Sequence, residues 1–391
     1  FYRAPGAYRD RYVEHEKGVA DHMLNRWQLV TLPLTSENQE WLRDRYDGEV
    51  AFMADQLAGF VRWLTELDGD TLIAVHSDHG EEFWEHGSYE HNHTLYSEVV
   101  KANLWIRPPG GWADRVDAPV SMIDLAPTLY DMAGIPIPEG LDGVSLRPFL
   151  DGDQDAGPLE ATLQDRPLQI GHLMYDQELW GVVADGWKYT LQTCDGEGEL
   201  YDLRSDPTEQ DNRIAEVEPA FIDARLERLE QSTGFQAGQG FRVDLIQANA
   251  PFLLDFGDVE VHAVVMDPEA CHTRRANIEW GDMPKYWPSD VGTVTVDGGR
   301  VAFLPGEHGV GKLLILAPNP PISMQVGSEE PLQDPEPGRM LRIKGVTLRL
   351  EAGPVLIQTD SVAQRLGLPS DREQDQDQLE ALRALGYIED E

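Results

Sequence analysis

The sequence predicts an α/β unit, then a small antiparallel sheet, then an all-β module, and three observations carry that order. Between Tyr46 and Leu64 the apolar residues Val50, Met53, Leu57, Phe60, Val61 and Leu64 recur at helical spacing, which marks an amphipathic helix. Directly after it, Leu72 to Val75 form a continuous apolar run of strand length, bounded upstream by Asp68-Gly69-Asp70. From about Gly234 to Asp360 short strand-like runs alternate with closely spaced turns, the pattern of a β-sandwich or a similar all-β module.

Residues 1 to 45, rich in Tyr and Arg at the start, read as an extended loop giving way to surface helices. In the helix that follows, Asp47, Glu49 and Asp55 belong to the solvated face. The run Leu72 to Val75 is expected to be buried on both faces of a parallel sheet. Its carboxyl end, the ligand-facing edge of such a sheet, then carries Asp78, His79 and Gly80. Asn103 to Ile106 is the next strand, stopped by Arg107-Pro108-Pro109-Gly110-Gly111. Ser121 to Ala133 is a helix with Pro127 in or near its first turn and Gly134 as its stop. Residues 135 to 169, rich in Pro, Gly and Asp, read as a long connection.

Asp185-Gly186, between Trp180 to Ala184 and Trp187 to Leu191, is a two-residue hairpin signal. Glu199 to Leu203 adds a strand. Glu218 to Leu229 adds a helix that packs through Phe221, Ile222, Leu226 and Leu229. The β-rich runs beyond are Phe252 to Leu254, Val259 to Val265, Gly292 to Val296, Val301 to Leu304, Leu313 to Leu316, Met340 to Ile343, Val346 to Leu350 and Val355 to Gln358. Within this stretch Trp280, Tyr286 and Trp287 are read as core or loop packing, with a carbohydrate-facing aromatic patch as the alternative. The expected division is 1–169, 170–234, 235–360 and an acidic helical tail 361–391.

The chain of 391 residues carries 31 basic and 70 acidic side chains, a net charge of −39, which excludes a nucleic-acid backbone or an anionic membrane surface as its main partner. No window approaches the roughly 20 apolar residues of a membrane span. An anionic substrate would need a local positive site, for which a metal ion is the obvious candidate. Cys194 and Cys271 form no framework, so one disulfide and two free thiols both stay open.

Five histidines, His76, His79, His86, His91 and His93, fall within eighteen residues after the strand. Asp78 and His79 offer a hard oxygen and an imidazole nitrogen to a divalent cation, while Gly80 lets the backbone turn. The segments Ser77-Asp78-His79-Gly80-Glu81, Glu85-His86-Gly87 and His91 to Glu98 resemble the sulfatases of the alkaline phosphatase superfamily. So do Val120 to Leu129, Asp142-Gly143-Val144-Ser145-Leu146, Leu200-Tyr201-Asp202-Leu203, and Asp206-Pro207 with Asn212. The resemblance covers about the first three-fifths of the chain, and Leu-Arg-Ala-Leu-Gly-Tyr near the C-terminus resembles sulfatase endings, which places the β-rich module as an insertion.

The resemblance implies an alkaline phosphatase-like α/β domain, partial here, closed by a small antiparallel subdomain, and hydrolysis of a sulfate ester, with a sulfated carbohydrate as the candidate substrate. It implies Asp78 and His79 as metal ligands, and His91, with His93 as the alternative, as the group acting on the sulfate oxygen or leaving group. His86 and Lys188 are candidates for substrate contact, each also explained by a structural role. His76 is read as a core residue, and Glu81 and Glu82 as outer-shell or solvated. Calcium is the expected ion, with manganese or magnesium as alternatives, since His79 stands where many sulfatases have Asn. The family's formylglycine comes from a Cys/Ser-x-Pro-x-Arg motif, and no residue here fits it. The expectation is therefore the C-terminal part of a sulfatase, inactive alone, whose nucleophile and acidic pair lie in a missing N-terminal half. A chain starting at Phe1 agrees with that reading and leaves the compartment open, a periplasmic or secreted location being compatible. The alternatives are a phosphodiester or phosphonate hydrolase of the same superfamily, and a non-catalytic protein that binds sulfated glycans.

Overall fold

The computed structural model describes residues 2–13, 34–67, 71–91, 93–111, 115–151, 156–171, 179–193, 195–233, 235–266, 292–306 and 311–357. Both cysteines, Trp280, Tyr286, Trp287 and the acidic tail lie outside these residues.

The first helix, α1 (Ser36–Leu67), begins ten residues before the predicted stripe, with the Thr35 hydroxyl accepting the Asn38 N–H at 3.3 Å. Its buried face is made by Trp41, Leu42, Arg45 and Gly48, not by the stripe that predicted it; Val50, Met53, Phe60 and Trp63 are each at least 40% exposed. The difference comes from residues 2–13, which pack on the upper half of the helix. Arg45 donates to the Tyr2 carbonyl through Nε and Nη2, and Gly48 lies against the Tyr8 carbonyl where no Cβ would fit.

Strand β1 (Ile73–His76) pairs antiparallel with a later strand, Leu104–Arg107, and not within a parallel sheet. Residues 77–103 turn the chain back along β1 through two two-residue strands, β2 (Glu82–Phe83) and β3 (Tyr89–Glu90), and the short helix α2 (Ser97–Val100), after which Leu104–Arg107 follows as β4. The connection returns the chain alongside β1 instead of carrying it over the sheet as a parallel pairing requires. Only Ile73 of the apolar run is fully buried, and His76, the strand's last residue, is exposed rather than in the core.

Two sequence landmarks then lock each other. Met122–Asp124 form a 3-10 turn leading into α3 (Leu125–Met132), with Ser121 and Asp124 making a reciprocal capping box. Asp124 is fully buried, and its carboxylate accepts from Ser121 N (2.8 Å), Val144 N (2.9 Å) and both guanidinium arms of Arg166 (2.7 Å each). From the other landmark, Leu146 N donates to Thr128 Oγ1 and Ser145 Oγ to Asp131. Gly143 sits where a side chain would strike the Ile123 carbonyl. The stretch predicted as a connection holds two helices, α4 (Arg147–Leu150) and α5 (Gly157–Asp165), because Pro148 and Pro158 stand in first turns where a missing N–H costs nothing.

The small sheet runs β5 (Leu168–Gly171), β6 (Leu179–Ala184), β7 (Trp187–Gln192) and β8 (Gly198–Asp202), in that spatial order and all antiparallel. Asp185 and Gly186 both have positive φ (54° and 75°), as the tight hairpin between β6 and β7 requires. Helix α6 (Pro219–Thr233) covers the sheet through buried Leu226 and Leu229.

Ten further strands form a sandwich of two five-stranded antiparallel sheets. They are β9 (Gln236–Ala248), β10 (Phe252–Asp255), β11 (His262–Met266), β12 (Gly292–Asp297), β13 (Arg300–Pro305), β14 (Gly311–Leu316), β15 (Ser323–Val326), β16 (Leu332–Gln333), β17 (Met340–Ile343) and β18 (Val346–Ile357). The orders are β12-β13-β10-β15-β16 and β11-β14-β9-β18-β17. Phe241, Val243 and Leu245 of one sheet meet Phe252, Leu254, Phe303 and Met324 of the other in a single apolar core. Strands β9 and β18 pair along their whole length, from Ala248 with Val346 to Gln236 with Ile357. Ala237 and Leu356 at the far end of that ladder join the core of the small sheet.

Candidate active site

The predicted site residues other than Lys188, which lies on β7, stand on one returning loop organised by the Glu82 carboxylate. Glu82 has no exposed surface; its oxygens accept from Ser88 N (2.8 Å), His86 N (3.3 Å) and Thr94 Oγ1 (2.8 Å), which pins residues 82–94 into one unit. Trp84 and Glu90, both with positive φ, bracket the turn, and Trp84 stacks on buried Tyr89 at 4.6 Å.

Asp78 and His79 lie side by side beyond the end of β1. A carbonyl can only accept, so the 2.7 Å approach of His79 Nδ1 to the Gly80 oxygen puts the proton on Nδ1 and leaves Nε2 as a lone-pair donor when the ring is neutral. Asp78 Oδ2 lies 3.7 Å from that Nε2, and its Oδ1 accepts the His79 N–H at 3.0 Å. One carboxylate oxygen and one imidazole nitrogen at this spacing fit a divalent cation. Among the described residues no third His, Cys, Asp or Glu completes a metal-binding group.

The His91 ring lies against His79, with centroids 4.0 Å apart. Its Nδ1 donates to Glu81 Oε1 at 2.8 Å, and Tyr2 OH donates to the other Glu81 oxygen at 3.2 Å. Glu81 thus orients the ring and engages Nδ1. His93 follows two residues later and is half-buried.

His86 and Lys188, the two candidates for substrate contact, are engaged with the protein interior. His86 Nδ1 lies 2.5 Å from Glu98 Oε1 and its Nε2 2.9 Å from the Glu209 carbonyl, while the ring stacks on Tyr96 at 3.6 Å. Both partners are acceptors, so both nitrogens carry protons. Gln210 Nε2, 3.0 Å from the same Nε2, has the Thr208 carbonyl for its own donors. Burial works to lower the pKa of His86, but the bonds to Glu98 and to the Glu209 carbonyl outweigh it and raise the value above the ordinary 6.5. Lys188 is 1% exposed, its ammonium 2.6 Å from Glu209 Oε1. Burial pulls its pKa below the ordinary lysine value against the opposing pull of Glu209. Glu209 and Glu98 are the residues the sequence reading overlooked. Glu209 stands between two quoted landmarks, Asp206-Pro207 and Asn212, and Glu98 closes a third.

A raised folded pKa contributes stability that is complete below the unfolded value near 6.5 and disappears as pH rises through the folded value. His86→Gln is therefore expected to cost about 1.5–3 kcal/mol at pH 5.5, the range for hydrogen bonds to charged groups, and much less at pH 9. Urea denaturation at both pH values measures this, and a pH-independent cost would contradict the charged ring.

Residues 4–135 match the family model described as Sulfatase, and residues 84–233 match that described as N-sulphoglucosamine sulphohydrolase, C-terminal. The chain is 30% identical over 240 residues to the uncharacterized sulfatase YidJ of Escherichia coli (strain K12), covering 57% of this chain and 46% of that protein. It is 28% identical over 239 residues to the N-acetylglucosamine-6-O-sulfatase of Bacteroides thetaiotaomicron, covering 58% and 40%. Against a choline-sulfatase of Rhizobium meliloti it is 30% identical over 185 residues, covering 46% and 34%. The chain thus spans less than half the length of each of these relatives. A solved structure of a protein in complex with its substrate D-glucosamine-2-N,6-O-disulfate aligns at 24% identity and a TM-score of 0.42, over 51% of this chain and 41% of that one. Through the two models, which together run over residues 4–233, this part of the chain is similar to the sulfatases.

Proposed function

We propose that residues 1–233 form one wall of a metal-dependent site that hydrolyses the sulfate ester of a sulfated carbohydrate. The observation that carries this reading is the His79 ring, held with Nε2 as a lone-pair donor beside Asp78 and in contact with the Glu81-oriented His91. A bound divalent cation, calcium first and manganese or magnesium next, would supply positive charge for the nonbridging sulfate oxygens. Asp78 and His79 would hold it together with ligands from a segment other than residues 1–391. That same segment would bring the formylglycine nucleophile, since no Cys/Ser-x-Pro-x-Arg motif occurs in this sequence.

His91, with Nδ1 fixed on Glu81, presents Nε2 to the departing alcohol oxygen and delivers its proton there. Glu81 stabilises the ring while it is charged, and Tyr2 holds Glu81. His93, nearby on the same loop, is the second candidate for that transfer. The relative acting on N-acetylglucosamine 6-O-sulfate supports a sulfated sugar as the substrate class.

Calorimetric titration with Ca²⁺ and Mn²⁺ tests the site. Two hard ligands should bind weakly, with Kd about 10⁻⁴–10⁻³ M, and Asp78→Asn should weaken binding at least about tenfold. Unchanged affinity in the variant would remove Asp78 from the ligand set. The chain alone should not turn over an aryl sulfate with calcium; turnover that His91→Ala abolishes would show that the nucleophile is present after all.

A further inference from the structure

Glu209 lies 131 positions beyond Asp78 in the chain, yet a continuous series of short bonds connects it to the Asp78–His79 loop. Its backbone is left-handed (φ 55°), and its carbonyl and carboxylate reach two parts of the histidine loop. The carbonyl meets His86 Nε2. One carboxylate oxygen accepts the Ser97 N–H at 2.6 Å, and the other meets Lys188 Nζ at 2.6 Å; all three residues are buried.

Ser97 is the first residue of α2, and its N–H is a helix-start donor with no partner inside the helix. The rest of that one-turn helix supports the Asp78–His79 loop from behind. Gly80 N donates to the Val99 carbonyl at 2.6 Å, and Gly80 lies so close to the Glu98 carbonyl that no Cβ would fit. The Gly80 carbonyl in turn receives His79 Nδ1–H at 2.7 Å, the bond that sets which nitrogen of His79 faces outward. Every link from Lys188 through Glu209, Ser97, Val99 and Gly80 to His79 is a short bond or a step along one helical turn.

We propose that Glu209 is a positioning residue for the cation site, acting from the loop after β8 through α2 on the His79 ring, with Lys188 of β7 holding its carboxylate in place. The proposal rests on the reading of Asp78 and His79 as cation ligands. It assigns Lys188 to the support of the site.

The test separates the hydrogen bond from the charges. Lys188→Met/Glu209→Gln removes both buried charges and keeps an amide oxygen for Ser97 N–H; Lys188→Met/Glu209→Leu removes the charges and the acceptor together. Replacing a buried ion pair by apolar side chains of similar size often leaves stability intact, and thermal melts establish this for both variants. Mn²⁺ titration of the full chain should give the Gln form an affinity within about twofold of wild type and the Leu form about tenfold weaker, the low end for loss of outer-shell support. Hydrogen exchange at Gly80 N–H should accelerate in the Leu form alone. If the Leu form does not fold, Ser97→Pro replaces it. Proline is tolerated at the first helical position, Tyr96 already has the extended backbone (ψ 161°) a following proline demands, and the substitution deletes the N–H itself. Equal Mn²⁺ affinity and equal Gly80 exchange in folded Gln and Leu forms would overturn the proposal. If wild type binds no cation, the ligand reading falls, and Gly80 exchange alone still decides whether Glu209 holds the loop.

Discussion

Arg166→Ala is expected to cost about 3–5 kcal/mol, the range for leaving a buried charge without its partner. Asp124 has no exposed surface, and two of its four donors are the arms of Arg166. Without them the carboxylate keeps only the Ser121 and Val144 N–H groups. Those two bonds join the start of α3 to residues 142–146, so the loss should appear there first. Hydrogen exchange over residues 121–146 is the appropriate readout beside urea denaturation, because a chain of several packed units need not unfold in one step. A total cost below 1 kcal/mol, or unchanged exchange in that stretch, would show that the pair is dispensable. The pH dependence has a definite sign. Burial works to raise the Asp124 pKa, but Arg166 and the two N–H donors hold it below the ordinary 3.8. The resulting stability is present above the unfolded value and lost as pH falls through the lower folded one. Asp124→Asn should flatten the acid limb of the wild-type stability curve.

Gly80→Ala should produce the second large effect, about 2–3 kcal/mol, with the cation site damaged as well. The new methyl would fall on the Glu98 carbonyl oxygen, a backbone atom of α2, while Gly80 N is itself bonded to the Val99 carbonyl, so neither side can yield without moving α2 or the His79 loop. Either movement breaks the Gly80 anchors. Mn²⁺ affinity should fall at least about tenfold, in contrast to Gly87→Ala, which meets open space and perturbs only a positive-φ turn. Equal loss of metal affinity in the two variants would show that loop strain in general, not the approach of Gly80 to α2, controls the site.

Much of this architecture is legible in the sequence where the signal is local. Asp185-Gly186 forces a hairpin through its backbone geometry alone, and Ser121 with Asp124 caps a helix within four residues. The histidines of the loop were visible for the same reason. What escapes is determined by approach between distant strands. β9 is absent from the strand runs read in the sequence because Gly238 and Gly240 interrupt its apolar pattern. Gly240 is there because a Cβ would strike the Ile315 carbonyl of the neighbouring strand. β18 reads as two strands because Gly353-Pro354 breaks the apolar pattern, yet Arg242 lies over Gly353 and bonds the Pro354 carbonyl, so the ladder continues through the break. Likewise Glu209 is indistinguishable in sequence from the many solvated acidic residues of a chain with 70 of them, and Glu82 stays open between a supporting and a solvated role. Their importance comes from the donors that converge on them, which only the folded chain brings together.

The pairing of Gln236 with Ile357 has a consequence for how such a chain could have been assembled. Cross-strand partners stand about 5 Å apart, so the 122-residue segment between them begins and ends at nearly the same point. A segment with that geometry can be spliced into a surface turn, or removed from one, without changing the path of the chain on either side. The ladder acts as a two-stranded stem. The apolar seam of Phe235, Ala237 and Leu356 against Trp180 and Leu229 is then the part of the joint that would have to change on excision.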